Sequence, residues 1–283
     1  AVSLLAELPP DKAKAAPPRP IAPIQAIARA IGSCAAETSE ATLVAWLASG
    51  GEVAEAASLG LGDLATTRQK LREETVVALL QRAAGSAAEP PLPAALFPLG
   101  RLDHPPPSTV DRLREVATAG LAAPGPMRLF AVRALGRAGE EAAPALGRVV
   151  GTPGDFSAAE RGEGARALGR LGKAGQRALA DAILKILPPT DPVSLTGLVS
   201  EDFGATLEAL QTMTEAGKAE KALREVAARA APPSPPAAVA RRLSWLRCTA
   251  AKLVVGKNYK DVLLTGCEVP AASAPPAAPD SAA

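Results

Sequence analysis

A sixteen-residue stretch that returns 33 positions later constrains this chain more than any other feature. Residues 131–146 read AVRALGRAGEEAAPAL and residues 164–179 read GARALGRLGKAGQRAL. Arg133, Ala134, Leu135, Gly136, Arg137, Gly139, Ala145 and Leu146 thus recur as Arg166, Ala167, Leu168, Gly169, Arg170, Gly172, Ala178 and Leu179. A weaker copy lies upstream, where Leu99, Gly100 and Arg101 align with Leu135, Gly136 and Arg137 at a spacing of 36. A period of this length holds two helices and a turn. One such hairpin cannot hide its own apolar face, so each copy must be buried against the next.

The rest of the chain is consistent with short helices throughout. Ala, Leu, Arg and Glu, all strong helix formers, dominate, while 28 Pro and 24 Gly cut the sequence into segments. Aromatic residues are only 2%, too few to fill the pleated faces of a β sandwich or barrel. Helical windows bounded by Gly or Pro run from Ile24 to Val255. They include separate windows at Val53 to Leu59 and Thr67 to Ala84, the second with Leu71, Val76, Leu79 and Leu80 on one face. Residues 1–23 are rich in Pro and Ala and are expected to form a linker or strap, and residues 270–283, built of Pro, Ala, Ser and one Asp, a disordered tail. Helical repeats are expected over 24–235 and a capping helix with its strap over 236–269, where Val239, Leu243, Leu246, Ala250 and Leu253 make an apolar stripe. No apolar run reaches the roughly 18 residues of a membrane-spanning helix.

The pattern A-L-G-x-L/A-G followed by A-x-P-A-L resembles the short HEAT-like repeats common in bacterial proteins. The resemblance is specific for Arg128 to Leu184 and weaker for Ala94 to Val116. It implies an all-α, right-handed α-solenoid of stacked helical hairpins. Small residues at the end of the first helix would let the second cross closely, Gly139 and Gly172 suit a left-handed turn, and Pro144 suits the first turn of the following helix. The 33-residue period is also that of ankyrin and tetratricopeptide repeats, but neither T-P-L-H nor W-x-x-L-G accompanies it. By analogy with the family, the expected function is a non-catalytic protein-interaction or scaffold module, including an accessory domain of a larger protein such as a prolyl isomerase. The competing class is an enzyme on the repeat scaffold, of lyase or nucleic-acid glycosylase type. Converging Asp, Glu or Arg side chains in a pocket would favour the enzyme, and a smooth concave surface would favour binding.

No catalytic, cofactor or metal residue stands out. The single histidine, His104, sits in Asp103-His104-Pro105-Pro106-Pro107, which reads as a turn. Gly60-x-Gly62-x-x-Ala65 and Gly162-x-Gly164-x-x-Ala167 satisfy a loose dinucleotide fingerprint, but neither follows an expected strand. Three cysteines and one histidine cannot supply a four-ligand zinc site at usual spacing. Arginine carries the chemistry instead. Arg133 and Arg137 lie one turn apart, Arg166 and Arg170 occupy the same places in the next copy, and Arg101 extends the row. Guanidinium forks bind carboxylate and phosphate alike, so the expected partner is a protein offering an acidic segment. A solvated outer helix face is the alternative reading of the same row. Nucleic acid is disfavoured by the net charge of only +2 and the scarcity of aromatics for base stacking. Cys248 and Cys267 enclose 18 residues, and a disulfide between them would stabilise by about 3 kcal/mol and favour an extracytoplasmic compartment over the cytoplasm. Two unrelated thiols are the alternative.

Overall fold

A computed structural model describes residues 23–123, 125, 127–187, 203–228 and 237–255. Among the described residues the chain is all-helical, with no strand. The helices are α1 (Pro23–Cys34), α2 (Ser39–Leu47), α3 (Gly51–Arg68), α4 (Glu73–Ala84), α5 (Leu96–Leu99), α6 (Val110–Gly120) and α7 (Met127–Leu135). They continue with α8 (Ala143–Gly151), α9 (Ala158–Gly169), α10 (Gly172–Ile186), α11 (Phe203–Thr212), α12 (Glu220–Ala228) and α13 (Ala237–Val255). The linker expected over 1–23, except Pro23 which opens α1, the strap beyond residue 255 with Cys267, and the tail at 270–283 lie outside the described residues.

Packing sorts the helices into two series. The odd-numbered ones touch in chain order, α1 on α3, α3 on α5, α5 on α7, α7 on α9, α9 on α11 and α11 on α13. Even-numbered helices form a second layer, in which α4 meets α6, α8 meets α10, and α10 meets the Gly217–Ala219 turn that leads into α12. Between the layers lies one continuous core of Ala, Leu and Val, including Leu43, Leu61, Leu79, Leu99, Leu113, Leu135, Leu146, Leu168 and Leu179. Long-range polar contacts keep the same step. Arg29 pairs with Asp63 at 2.8 Å, Arg128 with Glu160 at 2.8 Å, Arg133 with Glu163 at 3.4 Å and Lys218 with Asp181 at 3.3 Å, and each joins residues 30 to 37 positions apart.

The recurring glycine of each Leu-Gly-Arg copy has a different role from the one expected. A Cβ on Gly100 would come within 2.8 Å of Arg133 Cβ, on Gly136 within 2.8 Å of Ala167 Cβ, and on Gly169 within 2.5 Å of Thr212 Cγ2. These glycines therefore admit the first helix of the next unit, not the second helix of their own. Crossing within a hairpin falls to Gly175, whose absent Cβ would lie 1.8 Å from the Leu168 carbonyl oxygen. The turn glycines follow expectation. Gly139 has φ +80° and Gly172 φ +54°, and Pro144 lies in the first turn of α8.

One expected break is absent. Val53 to Leu59 is part of the 18-residue α3, which ends at Arg68, while α4 starts only at Glu73. Gly60 and Gly62 read as punctuation in sequence, yet both sit inside α3. A Cβ on Gly60 would meet the Ala28 carbonyl oxygen of α1 at 2.4 Å, and one on Gly62 would meet the Phe97 ring at 2.1 Å. Close contact with neighbours on both sides, gained at about 1 kcal/mol of helix propensity per glycine, accounts for them. The true end is set by Gln69, at φ +61°, whose N–H donates to Ala65 O at 2.8 Å. The α3–α4 corner is then closed by Glu40 of α2, a buried carboxylate that accepts from Arg72 N and Thr75 Oγ1, both at 2.7 Å.

Candidate functional site, an arginine cleft

The C-terminal ends of α3, α5, α7 and α9 come together around a cleft of about 300 Å³. Thr66, Gln69, Gly100, Arg101, Arg133, Arg137, Glu163 and Arg170 line it. Four of the five arginines expected to form a row therefore share one cavity. Because the odd-numbered helices stack in parallel positions, the Leu-Gly-Arg copies deliver their arginines to the same end of the series. The glycine in each copy keeps the helices close enough for neighbouring arginines to share a space.

The four guanidiniums are not equivalent. Arg133 is paired, its Nε lying 3.4 Å from Glu163 Oε1 and its Nη2 donating to Oε2 at 3.4 Å. Arg137 Nη1 donates to the Asp103 carbonyl oxygen at 3.3 Å and lies 3.6 Å from its carboxylate. Arg101 stacks over the Phe97 ring, with its guanidinium carbon 5.1 Å from the centroid. Neither Arg101 nor Arg170 makes an ion pair or side-chain hydrogen bond among the described residues. The buried Nε–H groups of Arg101 and Arg137 find no acceptor among the described residues. Burial first, and then the charge of Arg170, press the Arg137 pKa below the ordinary arginine value against the opposing pull of Asp103.

Arg166 stands apart from the cleft lining. It is held by Glu163, to which Nη2 donates at 3.0 Å, and by Glu208, 3.0 Å from Nη1. The sequence period places Arg166 one step after Arg133, but the carboxylates of α9 and α11 draw it along the helix surface. Glu163, Thr66 and Gln69 were missed by the sequence reading. Stepping back 33 positions from Arg101 lands on Arg68, beside Thr66 and Gln69, so the period itself held that signal. Gln69 also anchors the cleft wall, its carbonyl oxygen accepting from Asp103 N at 3.3 Å. His104 is exposed in the loop beyond Asp103.

The same placement serves the helices themselves. Arg170 caps α9 and Arg101 follows the Gly100 cap of α5, where the partial negative charge of a helix C-terminus favours a cation by about 0.3–1 kcal/mol. That stabilisation explains a basic residue at each site, but it leaves the buried Nε–H groups without acceptors. Gly60, Gly62 and Ala65, like Gly162, Gly164 and Ala167, lie within helices α3 and α9, so the two nucleotide-like spacings form no phosphate loop. Among the described residues no group of three or more His, Cys, Asp or Glu side chains is placed to hold a metal ion, and no helix is long and apolar enough to cross a membrane.

Two carboxylates of α9, Glu163 in the cleft and Glu160 in the first turn of the helix, set an acid limit on stability. Burial alone would raise the pKa of Glu163, but the hydrogen bond from Arg166 and the charges of Arg133 and Arg166 outweigh it and hold the value low. Burial is likewise outweighed at Glu160 by hydrogen bonds from Ser157 and Arg128. A carboxyl whose folded pKa is depressed contributes stability that is complete above its unfolded pKa, about 4.3, and is lost as pH falls toward the folded value. Urea melts between pH 6 and 3 are expected to lose stability below about pH 4.5, with a shallower slope in Glu160→Gln/Glu163→Gln. An unchanged slope in the double variant would remove these carboxylates from the acid limit.

No family model matches the chain, and comparison with curated proteins returns no match.

Proposed function

We propose that the chain is a right-handed α-solenoid of HEAT-like hairpins, closed at its C-terminal side by α13, and that it works as a non-catalytic interaction module whose arginine cleft takes an acidic segment of a protein partner. The serial packing of odd-numbered helices and the ion pairs that step 30 to 37 residues support the repeat architecture. The single observation that carries the functional reading is the convergence of Arg101, Arg133, Arg137 and Arg170 on one cavity, with two of them lacking an acidic partner among the described residues. Fluorescence anisotropy with a labelled Glu-rich peptide tests it. Affinity should fall steeply with added salt, since exposed charges are screened over about 8 Å at physiological ionic strength. Binding that ignores both salt and the cleft arginines would move the interface to the second-layer face carrying Arg148, Arg177, Asp181 and Lys185.

The presence of a pocket with converging charged groups also favours an enzyme built on the same scaffold, of lyase or glycosylase type. Against it stands Glu163, the one carboxylate in the lining, which two arginines hold in its ionised form and which is correspondingly weak as a proton carrier.

An extracytoplasmic location is part of the proposal and rests on the Cys248–Cys267 pairing. Cys248 is on α13 against the core, whereas Cys34 is an exposed free thiol far along the chain. A thiol count on the unfolded, unreduced native protein should give one free thiol. Three would remove the basis for export.

A further inference from the structure

We infer that the arginine cleft seats a single phosphate monoester dianion, carried on a side chain of the partner, and not a run of carboxylates. The inference rests on the cleft being the binding site proposed above and concerns the chemical group it selects. Charge is the first reason. Four guanidiniums line the cleft, Glu163 offsets one and Asp103 at the edge offsets another, so among the side chains two positive charges remain in excess, facing the partial negative charge of the helix C-termini. A phosphate monoester carries about −1.5 to −2 at neutral pH, whereas a carboxylate carries one. Donor geometry is the second. Arg101, Arg137 and Arg170 come from three successive units, so three separate guanidiniums offer N–H groups to one space. Three terminal oxygens on a tetrahedral phosphorus can meet them together, while the two oxygens of a planar carboxylate match one guanidinium fork. Size is the third. At about 300 Å³ the cavity is at the lower end of small-ligand sites, which fits one charged group and its stem better than a length of chain.

The remaining fittings suit an oxyanion. Phe97 holds Arg101 from behind by a cation–π contact, leaving the guanidinium without a carboxylate to displace. Arg133 is fixed by Glu163, which in turn is fixed by Arg166, so this side of the cleft is preorganised. Thr66 and Gln69 are already committed, Thr66 Oγ1 donating to Gly62 O at 2.9 Å and Gln69 Nε2 to Thr66 O at 2.7 Å, which rigidifies the opposite wall.

Isothermal titration calorimetry on the full chain at constant ionic strength tests the inference with four probes. These are a short alanine-flanked phosphoserine peptide, the same peptide with Asp in place of phosphoserine, inorganic phosphate, and a single-stranded oligonucleotide. The phosphoserine peptide should bind with one-to-one stoichiometry at least about tenfold tighter than the Asp peptide, and inorganic phosphate should compete with it. Arg170→Gln, at an exposed position where folding is not at stake, should weaken the phosphopeptide about fivefold, as should Arg101→Gln. Equal affinity for the two peptides would overturn the phosphate assignment while leaving the acidic-segment reading in place. No saturable binding of either peptide would overturn both. Tighter binding of the oligonucleotide, lost in Arg170→Gln, would replace the partner's phosphate with that of nucleic acid and so also overturn the inference.

Discussion

Gly175→Ala is expected to destabilise the protein by about 1–3 kcal/mol, and Gly162→Ala to leave it unchanged or stabilise it by up to about 1 kcal/mol. Both glycines lie within helices, in α10 and α9, so the gain in helix propensity is the same for both. What differs is the space each faces. A Cβ at 175 would lie 1.8 Å from Leu168 O, 2.8 Å from Leu168 C and 3.2 Å from Leu171 Cβ, and backbone of the partner helix cannot swing aside as a side-chain tip would. At Gly162 the nearest contact is Glu208 Cγ at 4.0 Å. Overpacking therefore wins at 175 and propensity at 162. For a chain of this size 1 kcal/mol shifts Tm by roughly 2–4 °C, so the two variants should separate by several degrees in calorimetry. Equal transition temperatures would mean that α9 and α10 do not cross at Gly175.

Removing Arg101, Arg137 and Arg170 together, each as Gln, is expected to weaken capture of an acidic or phosphorylated peptide by about 100-fold. Each charge-assisted hydrogen bond contributes about 1.5–3 kcal/mol when desolvated and considerably less where water reaches it, so three partly exposed contacts total about 3 kcal/mol. The fold should survive, because Arg101 and Arg170 have no acidic partner among the described residues and the Arg137–Asp103 pair is at the surface, with Asp103 about half exposed. Arg148→Gln, on α8 in the other layer, should change affinity less than twofold. A triple variant that binds as well as the parent would leave the cleft arginines with only their helix-terminal role.

The repeat was legible because a recurring pair of helices imposes the same steric demand at each step. Leu135 and Leu168 are fully buried, Gly139 and Gly172 take positive φ, and Pro144 opens α8. What the sequence reading misjudged was the partner of each small residue. Gly100, Gly136 and Gly169 make room for the next unit, and Gly60 and Gly62 sit inside a helix that looked broken, because periodicity records where a residue recurs and not which neighbour it meets. The arginine row was legible for the same reason as the repeat, except at Arg166. There the deciding residues are Glu163 and Glu208, which belong to no repeated motif, and Glu208 lies on a helix outside the recognised copies. Thr66 and Gln69 went unnoticed because α3 precedes the first recognisable Leu-Gly-Arg, although it is the next helix in the same packed series.

The central claim, that this cleft is where the protein takes hold of an anionic group, is tested most directly by following the arginine Nε–Hε resonances by NMR while inorganic phosphate is added. The Hε signals of Arg101, Arg137 and Arg170 should move together along one saturable curve, with Arg133 following to a smaller extent and Arg148, Arg224 and Arg241 staying in place. Shifts that never saturate, or that spread evenly over the surface arginines, would contradict it.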